Sequence, residues 1–348
     1  MSVLNQHTIT ADPSRHAPLI DPSGRTITYL RLSVTDRCDF RCHYCMAEKV
    51  KFLPKKDVLS LEELYLTAKT FINCGIHKIR LTGGEPLVRR DIRLLIDRLG
   101  DHLKTGELTE LTLTTNGSQL VHYADSLSKA GVKRINVSLD CLDPDKFKAI
   151  TRRGDLTQVL QGIEAAKQAG IQIKINMVVL GQENLTDILE VTDYCLQNGF
   201  DLTLIEAMPM DAGADANRQE NYVPLAHCVD LIGKHHKLEA TNHQTSGPAR
   251  YMGFKGYRSK LGLITPMSQN FCAGCNRIRL TCTGKLYPCL GHDTHLDFRE
   301  KIRNGATEAD LINSLRDIIS RKPQAHDFSI SDTGITSATL RSMNTTGG

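Results

Sequence analysis

Eleven cysteines stand in this 348-residue chain, and six of them fall into two spaced groups that could do chemistry. Cys38, Cys42 and Cys45 follow the spacing C-x3-C-x2-C, with Arg37 and Arg41 interleaved. Three thiolates so close in sequence can wrap one metal centre, and the neighbouring guanidinium groups offset their mutual repulsion. They are one ligand short of a closed all-cysteine zinc site or an ordinary ferredoxin cluster. A 4Fe-4S cluster held by three cysteines keeps one iron open to a small molecule. The second group is Cys272-x2-Cys275-x13-Cys289, with Arg277 and Arg279 inside it. Cys282 falls between them. Counted as a ligand, it completes a closed, inert four-thiolate site of the zinc type; left out, it leaves a second open triad.

Such groups need elements to hold them. TITYLRLSV (26–34), IHKIRLT (76–82), LTLTT (111–115), KRINVSLD (133–140), IQIKINMVVL (171–180) and FDLTLIEA (200–207) read as strands. Helical stretches are expected from Ser60, an N-cap with Glu63 as capping-box partner, and near 91–100, 119–130, 157–169 and 186–198. Six strands alternating with helices or long loops predict a parallel sheet with helices outside, either open or closed into a full or partial β/α barrel. The first cysteine run, GGEP and NG each follow a strand, on the face where a barrel builds its sites. Residues 1–25 are polar, with Pro13, Pro18, Pro22 and Gly24, and read as a flexible arm. The barrel is expected over 26–210, a C-terminal region packed on it over 211–326, and a tail ending in Gly347-Gly348 over 327–348.

Composition narrows the class. Lys plus Arg total 43 against 39 Asp plus Glu, a net charge of +4 with no polybasic tract, and there is no Trp. Nucleic acid is therefore not an expected partner. No apolar leader or spanning run occurs, so a cytoplasmic protein without a membrane partner is expected. In a reducing compartment an odd number of unevenly spaced cysteines means metal ligands, catalytic groups or buried apolar residues. Cys74, Cys141, Cys195 and Cys228 fit the last of these.

CDFRCHYC (38–45) matches the signature CxxxCxφC of the radical S-adenosylmethionine family, with Tyr44 in the aromatic position. The resemblance implies that the open iron binds the amino and carboxylate groups of S-adenosylmethionine and that reduction releases a 5′-deoxyadenosyl radical. LTGGEP (81–86), alone an ordinary strand-to-helix turn, resembles the segment beside the methionine moiety, with Gly84 close to it and Glu85 near the ammonium. Ser138 in NVSLD resembles the residue that approaches the cofactor carboxylate, and Met208 the one beside adenine.

From about Arg25 to the end, the chain is similar to the branch of that family that begins molybdenum cofactor biosynthesis. FCAGCNRIRLTCTGKLYPCL (271–290) resembles its second cluster segment, which implies Cys272, Cys275 and Cys289 as ligands and leaves Cys282 out. The implied fold is a partial (β/α)6 TIM-like barrel with a C-terminal region carrying the second 4Fe-4S cluster. The implied substrate is GTP, held by Arg31, Arg80, Thr114, Lys174 and the Arg277-Ile278-Arg279 segment, since no GxxxxGK[ST] loop is present. Abstraction of the ribose 3′ hydrogen followed by attack on guanine C8 would give 3′,8-cyclo-7,8-dihydroguanosine triphosphate. Arg277 and Arg279 would take part in catalysis, with Gly347 and Gly348 reaching into the site. Expected partners are a reductant protein and, as product acceptor, cyclic pyranopterin monophosphate synthase; the family admits a homodimer. A peptide-modifying radical enzyme with an auxiliary cluster would not need Arg277, Arg279 or the tail. A metal-binding module on nucleic acid would do no chemistry.

Overall fold

The computed structural model describes residues 17–208, 222–331, 334–336, 341 and 343–347. The first half runs β1 (Tyr29–Ser33), α1 (Leu61–Asn73), β2 (Lys78–Thr82), α2 (Ile92–Lys104), β3 (Glu110–Thr115), α3 (Leu120–Lys129) and β4 (Arg134–Ser138). It continues through α4 (Pro144–Thr151), α5 (Leu156–Gln168), β5 (Gln172–Val179), α6 (Gly181–Asn184), α7 (Ile188–Asn198) and β6 (Asp201–Glu206). The Ser60–Glu63 capping box opens α1 as expected, and Gly199, at φ +72°, ends α7. Each strand lies within one to three residues of its expected bounds; α4 was not anticipated.

β1 to β6 are parallel and pair in sequence order, the connectivity of a β/α barrel that is not closed by a seventh and eighth repeat. One face of these strands is apolar: Leu30, Leu32, Ile79, Leu81, Leu113, Ile135, Val137, Ile175, Leu202 and Leu204 are buried in the main core. The residues between them, including Arg31, Arg80, Asn136, Lys174 and Thr203, are also buried but polar, because alternate strand positions point to opposite faces. Both faces are thus covered, yet the concave one is built for polar contents.

The C-terminal half adds α8 (Leu225–Gly233), β7 (Leu238–Ala240), β8 (Arg250–Phe254), β9 (Lys260–Ile264), β10 (Arg277–Leu280), β11 (Lys285–Tyr287), β12 (Leu296–Asp297), α9 (Phe298–Arg303) and α10 (Glu308–Ile319). β13 (Ser329–Ser331), β14 (Gly334–Thr336) and α11 (Met343–Thr346) follow. This half does not simply pack on the barrel. β9 pairs parallel with β6 and β10 pairs parallel with β1, so it extends the sheet at both edges into the order β12-β11-β10-β1-β2-β3-β4-β5-β6-β9-β8-β7. No spacing in 211–326 signalled this, because these strands are short and their partners are remote in sequence. Among the described residues no helix is long and apolar enough to cross a membrane.

The helical layer is close-packed where glycine allows it. A Cβ on Gly162 of α5 would fall 2.4 Å from the Gly117 carbonyl oxygen, in the NG turn after β3. Gly162→Ala should therefore lower stability by about 1–3 kcal/mol through overpacking, although alanine is the better helix former; a denaturant melt in which the variant is equal or more stable would contradict this packing.

Candidate active site

The loop after β1 carries the first triad and is fastened on several sides. Arg41 and His43 donate backbone hydrogen bonds to Thr151 O (2.9 Å) and Ile150 O (3.1 Å) at the end of α4. Asp39 accepts from Asn116 Nδ2 (2.7 Å) and Ser118 Oγ (2.6 Å), and the same Asn116 amide reaches Cys38 Sγ at 3.8 Å. Tyr44 Oη donates to Asp140 Oδ2 (2.7 Å), whose other oxygen accepts from Val178 N (2.9 Å). Burial raises Asp140 to about 6 despite these donors. Gly84 N donates to Thr35 O at 2.9 Å, and a Cβ on Gly84 would lie 2.3 Å from Arg37 O. Only glycine fits this crossing of the GGEP turn and the cysteine loop.

Glu85, expected near an ammonium group, has its carboxyl engaged within the protein. It is fully buried, accepts from Leu87 N (3.0 Å), Thr115 Oγ1 (2.8 Å) and Asn116 N (2.6 Å), and is raised to about 8 by burial. Its carboxyl fastens the β2 turn to the β3 turn, because the chain folds GGEP back under NG. Gly84 itself lines the cavity.

The second triad sits where β10 enters the sheet. Register places Arg279 beside Arg31 and Arg31 beside Arg80, so three inward-facing arginines form one row across β10, β1 and β2. Like charges in register repel, and burial together with neighbouring arginines pushes Arg31 well below its ordinary value and Arg279 to about 10. Arg277 Nη2 donates to Cys275 Sγ at 3.7 Å. Burial pushes the Cys275 thiol up, but Arg277 and Lys322 more than offset this and bring it to about 7.

Both triads line one cavity of about 680 Å³ between the barrel mouth and the C-terminal loops. Arg31, Arg80, Thr114, Arg277 and Arg279 line it too, as do Tyr44, Gly84, Ser138 and Met208. Its two glutamates are engaged elsewhere: Glu183 with His43 Nε2 (2.6 Å), Glu206 with Met267 N (2.9 Å) and Ser268. Lys174 is not in the wall. It shares the inward face of β5 with Asn176 and Val178, which are, but lies deeper, bonded to Tyr251 Oη and lowered to about 7 by burial and by Arg134 and Arg80. Ile278 points to the opposite side and is fully buried, leaving only its backbone near the site.

The tail reaches this mouth. Arg279 Nη1 donates to Gly347 O at 2.5 Å, and at φ +80° a Cβ on Gly347 would lie 2.2 Å from Thr82 Oγ1. Gly348 lies outside the described residues. Cys282 is absent from the cavity wall; its thiol is buried, raised to about 12, and lies near Ser33, Asp36 and Arg89.

The lining fits the groups that the sequence led us to expect. Among the described residues no three His, Cys, Asp or Glu gather about a point as one metal ion requires; a four-iron cluster takes each cysteine on a different iron and needs a wider spread. Thr82 Oγ1, Thr114 Oγ1 and His326 Nε2 are buried at this cavity without a hydrogen-bond partner among the described residues, as suits a polar ligand.

Residues 32–195 match the family model described as Radical SAM superfamily, and residues 200–328 match Molybdenum Cofactor Synthesis C. The chain is 52% identical over 335 residues to GTP 3′,8-cyclase of Sinorhizobium medicae (strain WSM419) and 50% identical over 333 residues to that of Paracoccus denitrificans (strain Pd 1222), covering 96% of both chains in each case. This chain belongs to the GTP 3′,8-cyclase family. Among solved structures, Streptococcus suis SuiB matches with a TM-score of 0.61 at 16% identity, over 85% of this chain and 67% of that one, which supports the fold alone. The radical S-adenosylmethionine fold, that cofactor and two iron-sulfur clusters follow from membership of the GTP 3′,8-cyclase family.

Several residues of this cyclase site carried no sequence signal. Arg25, inside the expected arm, bonds Asp21 Oδ2 (2.6 Å), Cys272 O (2.6 Å) and Pro323 O (2.7 Å). Lys322, which bonds Cys275 Sγ, and His326, which lines the cavity, were not singled out either. With six cysteines as ligands, the holoprotein should carry about seven to eight iron atoms. Cys282→Ala should keep that number and Cys289→Ala should roughly halve it; loss of iron in Cys282→Ala would overturn the ligand assignment.

Proposed function

We propose that the chain is a radical S-adenosylmethionine GTP 3′,8-cyclase, converting GTP to (8S)-3′,8-cyclo-7,8-dihydroguanosine 5′-triphosphate in the first step of molybdenum cofactor biosynthesis. It is an enzyme of the lyase class. The observation that carries the substrate is the in-register row Arg279–Arg31–Arg80, facing a cavity whose two glutamates are already bonded. Buried guanidinium groups in one row repel each other, and a bound triphosphate would offset that repulsion. The fold alone does not separate this reading from a peptide-modifying enzyme; the arginine row favours a nucleotide.

Cys38, Cys42 and Cys45 would hold the first cluster, with Gly84, Ser138, Met208 and the Tyr44 segment around S-adenosylmethionine; Cys272, Cys275 and Cys289 would hold the second. When bound, the first cluster and its cofactor supply a radical able to take an unactivated ribose hydrogen. The chain's own part is positional. Arg31, Arg80 and Arg279 clamp the triphosphate, Thr114 offers an unpartnered hydroxyl, and Lys174 stands below Asn176 at the deep end. Arg277, the backbone of Ile278 and Gly347 close the mouth on the cluster side and exclude water from the reacting carbon, and Gly348 is expected to take part with Gly347. A cytoplasmic location, a reductant protein, cyclic pyranopterin monophosphate synthase as product acceptor and a homodimer belong to the same proposal; nucleic acid and membrane do not.

The direct test is an anaerobic reaction of reconstituted protein with S-adenosylmethionine, reductant and GTP deuterated at the ribose 3′ carbon. Deuterium should appear in 5′-deoxyadenosine by mass spectrometry; deoxyadenosine without deuterium would reject the substrate position.

A second test uses Lys174. Free, it loses its proton near pH 7, and binding a polyanion favours the ammonium. GTP affinity should be full below pH 7 and fall above it by up to about tenfold per unit. Lys174→Gln should remove that slope, and equal slopes in both proteins would take Lys174 out of the site.

A further inference from the structure

Lys322 follows α10 and is only 3% exposed. Its Nζ donates to Pro288 O (2.5 Å), Arg277 O (3.0 Å) and Cys275 Sγ (3.7 Å). Three acceptors account for the three hydrogens of the ammonium. Pro288 immediately precedes Cys289, and Arg277 is two residues beyond Cys275. One side chain therefore bridges the two ends of the long spacer in the second triad. Its nearby negative partners are the sulfurs of Cys275 and Cys289, with Arg25 and Arg277 adding positive charge.

Burying an ammonium costs several kcal/mol, on the order of what a well-packed apolar residue of equal length would avoid. Packing alone would thus be served as well by methionine. What methionine cannot do is donate to carbonyls and to a thiolate sulfur. Hydrogen bonds and positive charge at ligand sulfurs favour the more reduced, more negative state of a cluster, and so raise its potential. Arg277 Nη2 donates to the same sulfur at 3.7 Å.

We propose that Lys322 is a positioning residue of the second cluster, which fixes the Cys275 and Cys289 segments relative to each other and raises that cluster's reduction potential by donating to Cys275 Sγ. This rests on Cys272, Cys275 and Cys289 being its ligands.

The test compares unaltered holoprotein with Lys322→Met and Lys322→Arg by iron content and by redox titration followed by electron paramagnetic resonance. The first cluster is told apart by its response to S-adenosylmethionine. In Lys322→Met the second cluster should be about tenfold harder to reduce, a downward shift of about 59 mV for one electron, with the first cluster unmoved; Lys322→Arg should shift less. If Lys322→Met instead sheds the second cluster, restoration of iron by Lys322→Arg supports the positioning role. Full iron with an unmoved potential in Lys322→Met, or iron loss that arginine does not restore, overturns the inference. An unaltered protein with only about four irons would bring down the ligand reading itself, and the inference with it.

Discussion

The parallel pairing of β10 with β1 is the constraint on which the site depends. It is made by backbone hydrogen bonds between segments some 250 residues apart, and its register sets Tyr29 against Arg277 and Arg31 against Arg279. A slip of one residue would turn Arg277 and Arg279 out of the barrel and bring Ile278 in. The pairing also fixes where the second triad lies, because Cys272 and Cys275 lead into β10 and Cys289 leaves β11. Two cysteine groups that are distant in sequence thereby face each other across one cavity.

That register produces an electrostatic arrangement the free chain has no reason to favour. Arginines crowd the concave face of a sheet whose convex face is apolar. Each buried guanidinium is depleted of water, and each repels the next. Lower on the same face, Lys78 and Arg134 share Glu110, both at 2.5 Å, so the floor carries a carboxylate counter-charge beside its cations. The arginine row lies nearer the cavity than this ion-paired floor, so positive charge is concentrated where a ligand anion would enter.

The loops above the barrel are held by polar ties rather than by regular structure. Asp39 with Asn116 and Ser118, Tyr44 with Asp140, and Arg25 with Cys272 each fasten a cysteine segment to a strand end or a neighbouring turn. Glu85 joins two turns beneath them. These ties hold the cysteine segments through backbone groups and neighbouring side chains, so the loops are positioned by contacts other than ligation. Gly347 completes the mouth because only a residue without a side chain can lie against Thr82.

Much of this was legible in the sequence, for physical reasons that can be named. Strand and helix alternation, the Ser60 cap and the C-x3-C-x2-C spacing are local, set by periodicity and by what neighbouring side chains can reach, so β1 to β6 and the first triad could be read directly. The resemblance to a family supplied Arg31, Arg80, Thr114 and the second triad, which spacing alone left ambiguous at Cys282. Tertiary structure decided what depends on partners remote in the chain. It joined β9 and β10 to the barrel edges, aligned three arginines, turned Glu85 into a fastening between turns, and buried Lys322 against Cys275. Sequence specifies such contacts only through the whole fold, since register and burial belong to the assembled sheet and not to any segment of it.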